Sequence, residues 1–281
     1  MKYNVNIREE IFGATVSIVE TGKREYVNKE ELKKILEEKK FPKDTLANKM
    51  TEDYKIKYIP LNNKNLREQF SFADIVYLEL TRECNLRCKH CLNNSGKLMP
   101  NQLNLDELKK LVQDLIDAGV QEIRFTGGEP LMCDGIYELI KLANDNGVCT
   151  SIGTNGTLVT EEIANMLKEI GLKKVVVSID GTQEMHDTIR GTYSYEKAIN
   201  GLDYLKNAGL NVRVNTVIMK SNMEDVIKLA KEMDKNKITL FIRRFIESGR
   251  GKNLKNNMLT EDDYRYVREQ LQDIMKKNSY I

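Results

Sequence analysis

The chain has 281 residues, of which 41% are hydrophobic, 31% are charged and only 4 are proline, and this composition excludes a disordered, collagenous or low-complexity protein. Its net charge of +2 is too balanced to indicate a nucleic-acid partner. Because there is no signal-peptide pattern and no run near the roughly 20 apolar residues that span a bilayer, we expect a cytoplasmic protein without a membrane partner.

The first predicted elements are a β-hairpin and a short helix. An alternating apolar stretch at 14–19 and a second run at 24–27 flank a turn that contains Gly22, which is typical of a hairpin. Asn28 follows as a predicted helix N-cap, with a glutamate three residues later. The polar stretch 39–69 shows no long periodic element, and we interpret it as a connector.

Short β-branched runs then alternate with longer helical patterns, which predicts repeated βα units around a parallel sheet. The predicted strands are 75–80, 122–126, 148–153, 174–179, 211–218 and 238–241. The predicted helices are 105–118, 136–146, 161–170, 195–208 and 223–233, with a last amphipathic helix over 261–275. Glycines placed for left-handed helix C-caps follow four of these helices at Gly119, Gly147, Gly171 and Gly209.

These elements predict an α/β fold, a partial (β/α)6 TIM-like barrel preceded by a small α+β region. We divide the chain into an N-terminal region over 1–70, the barrel over 71–250 and a C-terminal helical extension over 251–281. In such barrels, ligands bind where the loops gather at the carboxyl ends of the strands.

Three of the five cysteines stand on one loop after the first barrel strand. Cys84, Cys88 and Cys91 are spaced C-x3-C-x2-C, which lets three thiolates converge on one inorganic centre. Three ligands leave one iron of a four-iron cluster open, and an open metal position indicates catalysis. The alternatives are a zinc knuckle completed by His90, or three buried cysteines without a metal.

A second motif follows the next predicted strand, Gly127-Gly128-Glu129-Pro130. The two glycines let the backbone approach a ligand closely, and a carboxylate fixed beside them is suited to an ammonium group. A Gly-Gly turn alone is weak evidence, and its position at a strand end gives it weight.

Together, the cysteine loop and the Gly-Gly-Glu-Pro turn resemble the radical S-adenosylmethionine (radical SAM) superfamily over roughly residues 74–250. The resemblance implies a [4Fe–4S] cluster on Cys84, Cys88 and Cys91, with SAM bound to the open iron. It further implies reductive cleavage of SAM to a 5′-deoxyadenosyl radical that abstracts a substrate hydrogen, and an electron donor such as flavodoxin or ferredoxin.

The resemblance also implies a set of SAM-binding residues. They are Gly127, Gly128, Glu129, Pro130, Asn155, Ser178, Asp180, Arg190 and Asn215. The glycines and Glu129 would receive the methionine amino group, and Ser178 and Arg190 would bind the ribose or the carboxylate. The alternatives are a plain Asn-Gly turn at Asn155, a surface ion pair at Arg190 and backbone satisfaction at Asn215.

Other polar residues near these motifs have no assigned catalytic role. We interpret His90 as a packing residue near the adenine and His186 as a local structural residue rather than a proton donor. Cys133 and Cys149 are read as small buried hydrophobic residues, with a functional role as the alternative.

The stretch from Ser178 to Arg190, together with residues 214–220 and 244–251, resembles the branch that matures ribosomally made peptides. That branch implies that residues 10–40 belong to a region that binds the leader of a precursor peptide by adding a strand to a sheet. Relatives in this branch usually continue into a cysteine-rich domain with auxiliary clusters, whereas no cysteine follows Cys149. The chain is therefore either a single-cluster enzyme or shorter than its natural form.

The sequence thus favours a radical SAM enzyme that forms a thioether or carbon–carbon link in a peptide, or inverts a residue. A second hypothesis keeps this chemistry and gives it a small-molecule or nucleotide substrate in cofactor biosynthesis. A third, from another class, is a non-catalytic, metal-stabilised binding module.

Overall fold

A computed structural model of the chain describes residues 3–39, 41, 54–61 and 71–277. Its N-terminal part is a four-stranded sheet with the order β3-β2-β1-β4. The strands are β1 (Tyr3–Glu10), β2 (Gly13–Ile18), β3 (Lys23–Asn28) and β4 (Tyr54–Ile59). β1, β2 and β3 pair antiparallel, whereas β4 lies parallel to β1.

The predicted hairpin and helix are confirmed. β2 and β3 form the hairpin, and α1 (Lys29–Glu38) begins at Asn28 with a capping box. In that box Asn28 Oδ1 accepts from the Glu31 N–H at 3.0 Å, and the Asn28 N–H donates to Glu31 at 2.9 Å. Such a box satisfies two helix-end donors at once.

The connector interpretation of residues 39–69 is wrong for part of that stretch. β4 lies within it, and its register against β1 pairs Val5 with Ile56. Its sequence, YKIKYI, alternates apolar residues with lysines, which is the period-2 pattern of a half-buried strand, so this strand could have been predicted from its local sequence. The rest of the stretch, at 40, 42–53 and 62–69, lies outside the described residues.

The second sheet has six strands in the order β10-β9-β8-β7-β6-β5, all of them parallel. They are β5 (Ile75–Glu79), β6 (Glu122–Thr126), β7 (Cys149–Thr154), β8 (Lys174–Ser178), β9 (Asn211–Ile218) and β10 (Thr239–Arg244). Because chain neighbours are also sheet neighbours, the sheet winds in one direction. This confirms the predicted partial barrel, whose edges among the described strands are β5 and β10.

The helices of the barrel lie close to their predicted positions. They are α2 (Leu105–Asp117), α3 (Ile136–Asp145), α4 (Glu161–Glu169), α5 (Gln183–Arg190), α6 (Ser194–Asn207), α7 (Met223–Lys235) and α8 (Glu261–Lys277). α5 was not predicted because it is short and mostly polar. The four predicted C-cap glycines all have positive φ angles, between 75° and 88°, as left-handed caps require.

The barrel core lies between the sheet and its helices. Val112 of α2, Leu139 of α3 and Val175 of β8 are fully buried members of one continuous apolar cluster. The helices cover the outer face of the sheet, so its concave inner face is left for a ligand site.

The N-terminal sheet is apolar on one face and polar on the other. Val5 and Ile7 of β1 pack in a cluster with α1, whereas the alternate residue Arg8 is buried against the barrel. Arg8 forms ion pairs with Glu10 at 2.8 Å and with Asp74 at 2.6 Å. It also donates to the Gly119 carbonyl at 3.0 Å. A buried ionic network therefore attaches the N-terminal sheet to the barrel.

The β2–β3 turn lies at the amino ends of the barrel strands. Gly22 has a φ of 63°, which favours glycine, and a Cβ there would lie 2.2 Å from Lys174 Nζ and 3.0 Å from Cys149 Sγ. From β3, Arg24 reaches Glu122 of the barrel at 3.3 Å. The hairpin thus contacts the residues at the bottom of the barrel.

Across the part of the chain that the structure describes, no helix combines the length and apolar character needed to cross a bilayer.

We predict that Arg8→Met lowers the free energy of unfolding by about 3–5 kcal/mol, because Glu10 would remain as an unpaired buried charge. The control is Lys34→Met, which removes an exposed pair with Glu30 and should change stability by less than about 1 kcal/mol. Urea unfolding followed by circular dichroism measures both. Equal stability of the two variants would contradict the buried network.

Candidate active site

A cavity of about 510 Å³ opens on the inner face of the barrel. The predicted site residues that line it are Cys84, Cys88, Cys91, Gly127, Gly128, Asn155, Ser178, Arg190 and Asn215. The other three, Glu129, Pro130 and Asp180, are buried and are not part of the lining. The structure thus gathers residues from six separate chain segments around one space.

Strand register explains this convergence. Ser178 on β8 pairs directly with Asn215 on β9, while Gly127 and Asn155 each follow the last residue of a strand. The carboxyl ends of parallel strands share one edge of a sheet. Residues far apart in sequence therefore meet at the mouth of the barrel.

The cysteine loop surrounds its thiols with hydrogen-bond donors. The Leu86 N–H lies 3.4 Å from Cys84 Sγ, and the Ser95 N–H lies 3.3 Å from Cys91 Sγ. Arg190 Nη1 stands 3.9 Å from Cys88 Sγ. Donors and a cation beside sulfur stabilise the thiolate form, which is the form that ligates metal.

In the protein alone, burial raises the pKa of the Cys84 and Cys88 thiols. The neighbouring Cys91 adds to this rise at both thiols, whereas the Arg190 guanidinium lowers the pKa of Cys88. A bound metal centre would supply the positive charge that holds the thiolates.

Arg250 fixes the shape of the cysteine loop, a role that its sequence position did not reveal. Its Nε donates to the Cys88 carbonyl at 2.7 Å, and its Nη1 donates to the Ser95 carbonyl at 2.7 Å. A Cβ on the preceding residue, Gly249, would lie 2.3 Å from the Cys91 carbonyl oxygen. The segment after β10 therefore packs directly onto the loop.

His90 does not complete a zinc knuckle. Its Nε2 lies 2.9 Å from Asp180 Oδ2, and its buried Nδ1 has no hydrogen-bond partner. Among the described residues, no three His, Cys, Asp or Glu side chains are arranged to hold a single metal ion. A four-iron cluster is larger than one ion and needs more widely spaced ligands. The three thiols therefore fit a cluster better than zinc.

Asp180 is the buried anion behind the cavity wall. Its Oδ2 accepts from Arg190 Nε at 2.6 Å, and its Oδ1 accepts from the Val217 N–H at 2.8 Å. Burial alone would raise the pKa of Asp180, but Arg190 and His90 hold that pKa well below its usual range. Asp180 thus fixes Arg190, which is buried rather than part of a surface ion pair.

Glu129 shapes the turn after β7. Its Oε1 accepts from the Thr154 hydroxyl at 2.7 Å, and its Oε2 accepts from the Asn155 N–H at 2.8 Å. Burial raises the pKa of Glu129, and these two donors oppose that rise. The contact of Glu129 with the SAM amino group stays a prediction.

Close packing against the cysteine loop also requires glycine at the two positions before Glu129. A Cβ on Gly127 would lie 2.5 Å from the Thr81 carbonyl oxygen, and one on Gly128 would lie 2.1 Å from that of Glu83. The Gly-Gly turn thus packs against the start of the cysteine loop and brings the two motifs together.

The remaining polar candidates lie outside the cavity lining. His186 Nδ1 accepts from the Asp180 N–H at 3.1 Å, and burial lowers the pKa of His186 to about 4. A neutral, buried imidazole in this position supports Asp180 structurally. Cys133 and Cys149 are both buried, and burial raises the pKa of Cys149 to about 11, which is typical of an unreactive thiol.

Residues 78–233 match the model of the Radical SAM superfamily, whose members use a [4Fe–4S] cluster and SAM. The chain is 33% identical over 222 residues to an AdoMet-dependent heme synthase from Nitratidesulfovibrio vulgaris, covering 77% of this chain and 60% of the relative. It is 36% identical over 175 residues to the mycofactocin maturase MftC from Mycobacterium tuberculosis, and this match covers 62% of this chain and 45% of the relative. The chain therefore spans about half of the length of these relatives.

The fold is similar to that of Streptococcus suis SuiB, solved in complex with its precursor peptide SuiA. The TM-score is 0.71 at 16% identity, and the match covers 97% of this chain and 69% of SuiB. Because it covers nearly the whole chain, this likeness extends to the N-terminal sheet as well as the barrel.

We predict that replacing Cys84, Cys88 or Cys91 singly by Ala removes the iron bound after anaerobic reconstitution, because each thiolate is a predicted cluster ligand. Iron content per chain and the electron paramagnetic resonance spectrum of the reduced protein measure the loss. Cys133→Ser and Cys149→Ser are matched controls that should keep full iron. Any one of the three Ala variants with full iron would exclude that cysteine as a ligand.

We predict that Glu129→Ala weakens SAM binding by about 1.5–3 kcal/mol, the range of a hydrogen bond to a charged group. Isothermal titration of the reconstituted protein with SAM measures the affinity. Glu129 can act on SAM directly or through the turn after β7, and Thr154→Val, which removes the Thr154–Glu129 hydrogen bond, separates these two explanations. It should weaken SAM binding similarly if Glu129 acts through the turn, and it should leave SAM affinity intact if Glu129 contacts SAM. Unchanged affinity in Glu129→Ala would remove this residue from the site.

Proposed function

The chain belongs to the radical SAM superfamily, and on this basis we propose that it modifies a ribosomally made peptide. When bound, the cluster and SAM supply a carbon radical that abstracts a hydrogen atom from the substrate. The reaction proposed is a thioether or carbon–carbon crosslink, or inversion of a residue. An electron donor such as flavodoxin or ferredoxin is the proposed source of the reducing electron.

The observation that carries the peptide proposal is the position of strand β3. In the order β3-β2-β1-β4 it is an outer strand, and Tyr26 on it is 57% exposed. An outer strand offers backbone donors and acceptors to an added peptide strand. The N-terminal region is therefore the proposed binding site for a peptide leader.

The same strand also reaches the cavity. Arg24 on β3 pairs with Glu122, and Glu122 lines the cavity wall. A peptide strand added to β3 would thus lie beside a strand that contacts Glu122 at the amino end of β6, which we call the barrel floor. The likeness in fold to SuiB, whose structure contains a precursor peptide, supports this arrangement.

The chain's own residues have positioning roles in this proposal. Arg190 faces the cavity with its charge held in place by Asp180. Asn155 donates from Nδ2 toward Cys84 Sγ at 3.9 Å, so the turn after β7 orients the cluster loop as well as the ligand side of the cavity. Ser178 and Asn215 are the proposed contacts for SAM on β8 and β9.

A small-molecule substrate is the second candidate. The heme synthase relative is aligned over 222 residues, a longer stretch than the 175 residues shared with the peptide maturase. Membership of an enzyme superfamily, together with all three motif cysteines at the cavity wall, weighs against the non-catalytic binding module.

We predict that anaerobic co-expression with the short peptide encoded beside this gene changes the peptide. An oxidative crosslink would remove a pair of hydrogens, and epimerisation in deuterated water would add one deuterium. Intact-mass spectrometry detects both. The triple Cys84/Cys88/Cys91→Ala variant is the control and should leave the peptide unmodified.

A peptide lacking its leader separates leader binding from catalysis. It should bind more weakly to the protein and be modified more slowly. The contrary outcome is that the full-length peptide stays unmodified in both ordinary and deuterated water while the protein still converts SAM to 5′-deoxyadenosine. In that case the peptide proposal is wrong, and a small molecule becomes the proposed substrate.

A further inference from the structure

Two arginines of the cavity wall surround one aromatic ring. Arg213 on β9 and Arg243 on β10 have their guanidinium carbons 5.6 Å and 5.3 Å from the centre of the Phe241 ring. All three side chains line the same cavity as the motif cysteines. Register places Phe241 opposite Asn215, so this group adjoins the proposed SAM contacts.

The carboxylates at the cavity are already engaged by other cations. Among the described lining residues, Glu122 is the one carboxylate. Glu122 forms ion pairs with Arg124 at 2.8 Å, Lys174 at 3.2 Å and Arg24 at 3.3 Å. The nearby Asp180, behind the wall, is paired with Arg190. Neither anion is left to neutralise further cations.

Arg213 and Arg243 differ from Arg124, Lys174 and Arg190 in this respect. Within the part of the chain that the structure describes, neither guanidinium forms an ion pair with a carboxylate. Arg243 Nε donates to the neutral Asn215 Oδ1 at 3.2 Å, and this leaves most of its donors available. Two like charges beside one ring repel each other, and an anion between them would relieve that repulsion.

A carboxylate is the anion that fits this arrangement. The planar guanidinium fork matches two carboxylate oxygens and binds them in a bidentate manner. Phe241 provides an apolar surface for the carbon skeleton that carries the carboxylate. β10 is an outer strand of the barrel sheet, and Arg243 is exposed, so a substrate can reach the group from the open side.

We propose that Arg213 and Arg243 form a substrate subsite that binds a carboxylate, with Phe241 packed against the adjoining carbon atoms. This inference rests on the proposed function in assuming that the substrate enters this cavity. The carboxylate has two possible sources: a peptide terminus or acidic side chain, or a propionate of a tetrapyrrole. Its chemistry is the same in both.

The experiment compares each probe with its methyl ester, which removes the charge and keeps the skeleton. The probes are coproporphyrin III, followed by its own fluorescence, and the leaderless peptide encoded beside the gene, labelled with fluorescein and followed by anisotropy. Titrations use the reconstituted holoprotein with SAM and without reductant, so that binding is measured in the absence of turnover.

For the true source, the wild type should bind the free acid at least about tenfold tighter than the ester, as expected for a charged hydrogen bond. Arg213→Gln/Arg243→Gln should abolish that difference. Arg244→Gln is the matched control, because Arg244 is the next residue on β10, lies over Tyr264 and does not line the cavity. It should keep the full preference for the acid.

If the double Gln variant does not fold, the double variant Arg213→Lys/Arg243→Lys is the alternative. It keeps both positive charges but loses the bidentate guanidinium groups, so it should bind the free acid more weakly than wild type. Equal binding of acid and ester to wild type by both probes would overturn the subsite, as would failure of both probes to bind. A preference for the acid that persists in a folded double variant would overturn it too.

The two proposals can fail separately. A preference for coproporphyrin III that depends on the arginines would keep the subsite and count against the peptide. Peptide modification by Arg213→Gln/Arg243→Gln with an unchanged KM would keep the proposed function and overturn the subsite.

Discussion

The buried carboxylate of Asp180 is the interaction on which the geometry of the site depends. It joins three elements: it accepts from Val217 of β9, from Arg190 of α5 and from His90 of the cysteine loop. A buried anion is costly unless such partners satisfy it. Its need for partners therefore fixes the positions of strand β9, helix α5 and the cluster loop relative to one another.

That constraint extends to the chemistry of the cluster loop. Arg190, fixed by Asp180, directs a second nitrogen toward Cys88 Sγ, and Arg250 binds the Cys88 carbonyl on the other side. Both cations lie where a cluster held by thiolates would place negative charge. The positive wall of the cavity would thus compensate the charge of a cluster bound at these thiolates, and Arg213 and Arg243 extend that wall further along the barrel.

Local signals predicted the parts of this structure that are determined locally. The capping box at Asn28, the C-cap glycines and the spacing of Cys84, Cys88 and Cys91 each act within a few residues, so the sequence displays them directly. β4 also has a local alternating pattern, which the connector interpretation overlooked. α5 is too short and polar to show a clear period, and the role of Arg250 depends on partners distant in the chain. Glu129 illustrates the difference: its motif was recognised, but its bonds to the turn after β7 required the tertiary structure.

Glu122 links the proposed peptide-binding sheet to the cavity wall. Glu122 lies at the floor and is shared by Arg24 of the N-terminal sheet and by Lys174 and Arg124 of the barrel. A strand added to β3 changes the surroundings of Arg24, and a weaker Arg24 contact leaves Glu122 to the other two cations. Because all three compete for one carboxylate, peptide binding at the sheet has a direct electrostatic route to the cavity wall.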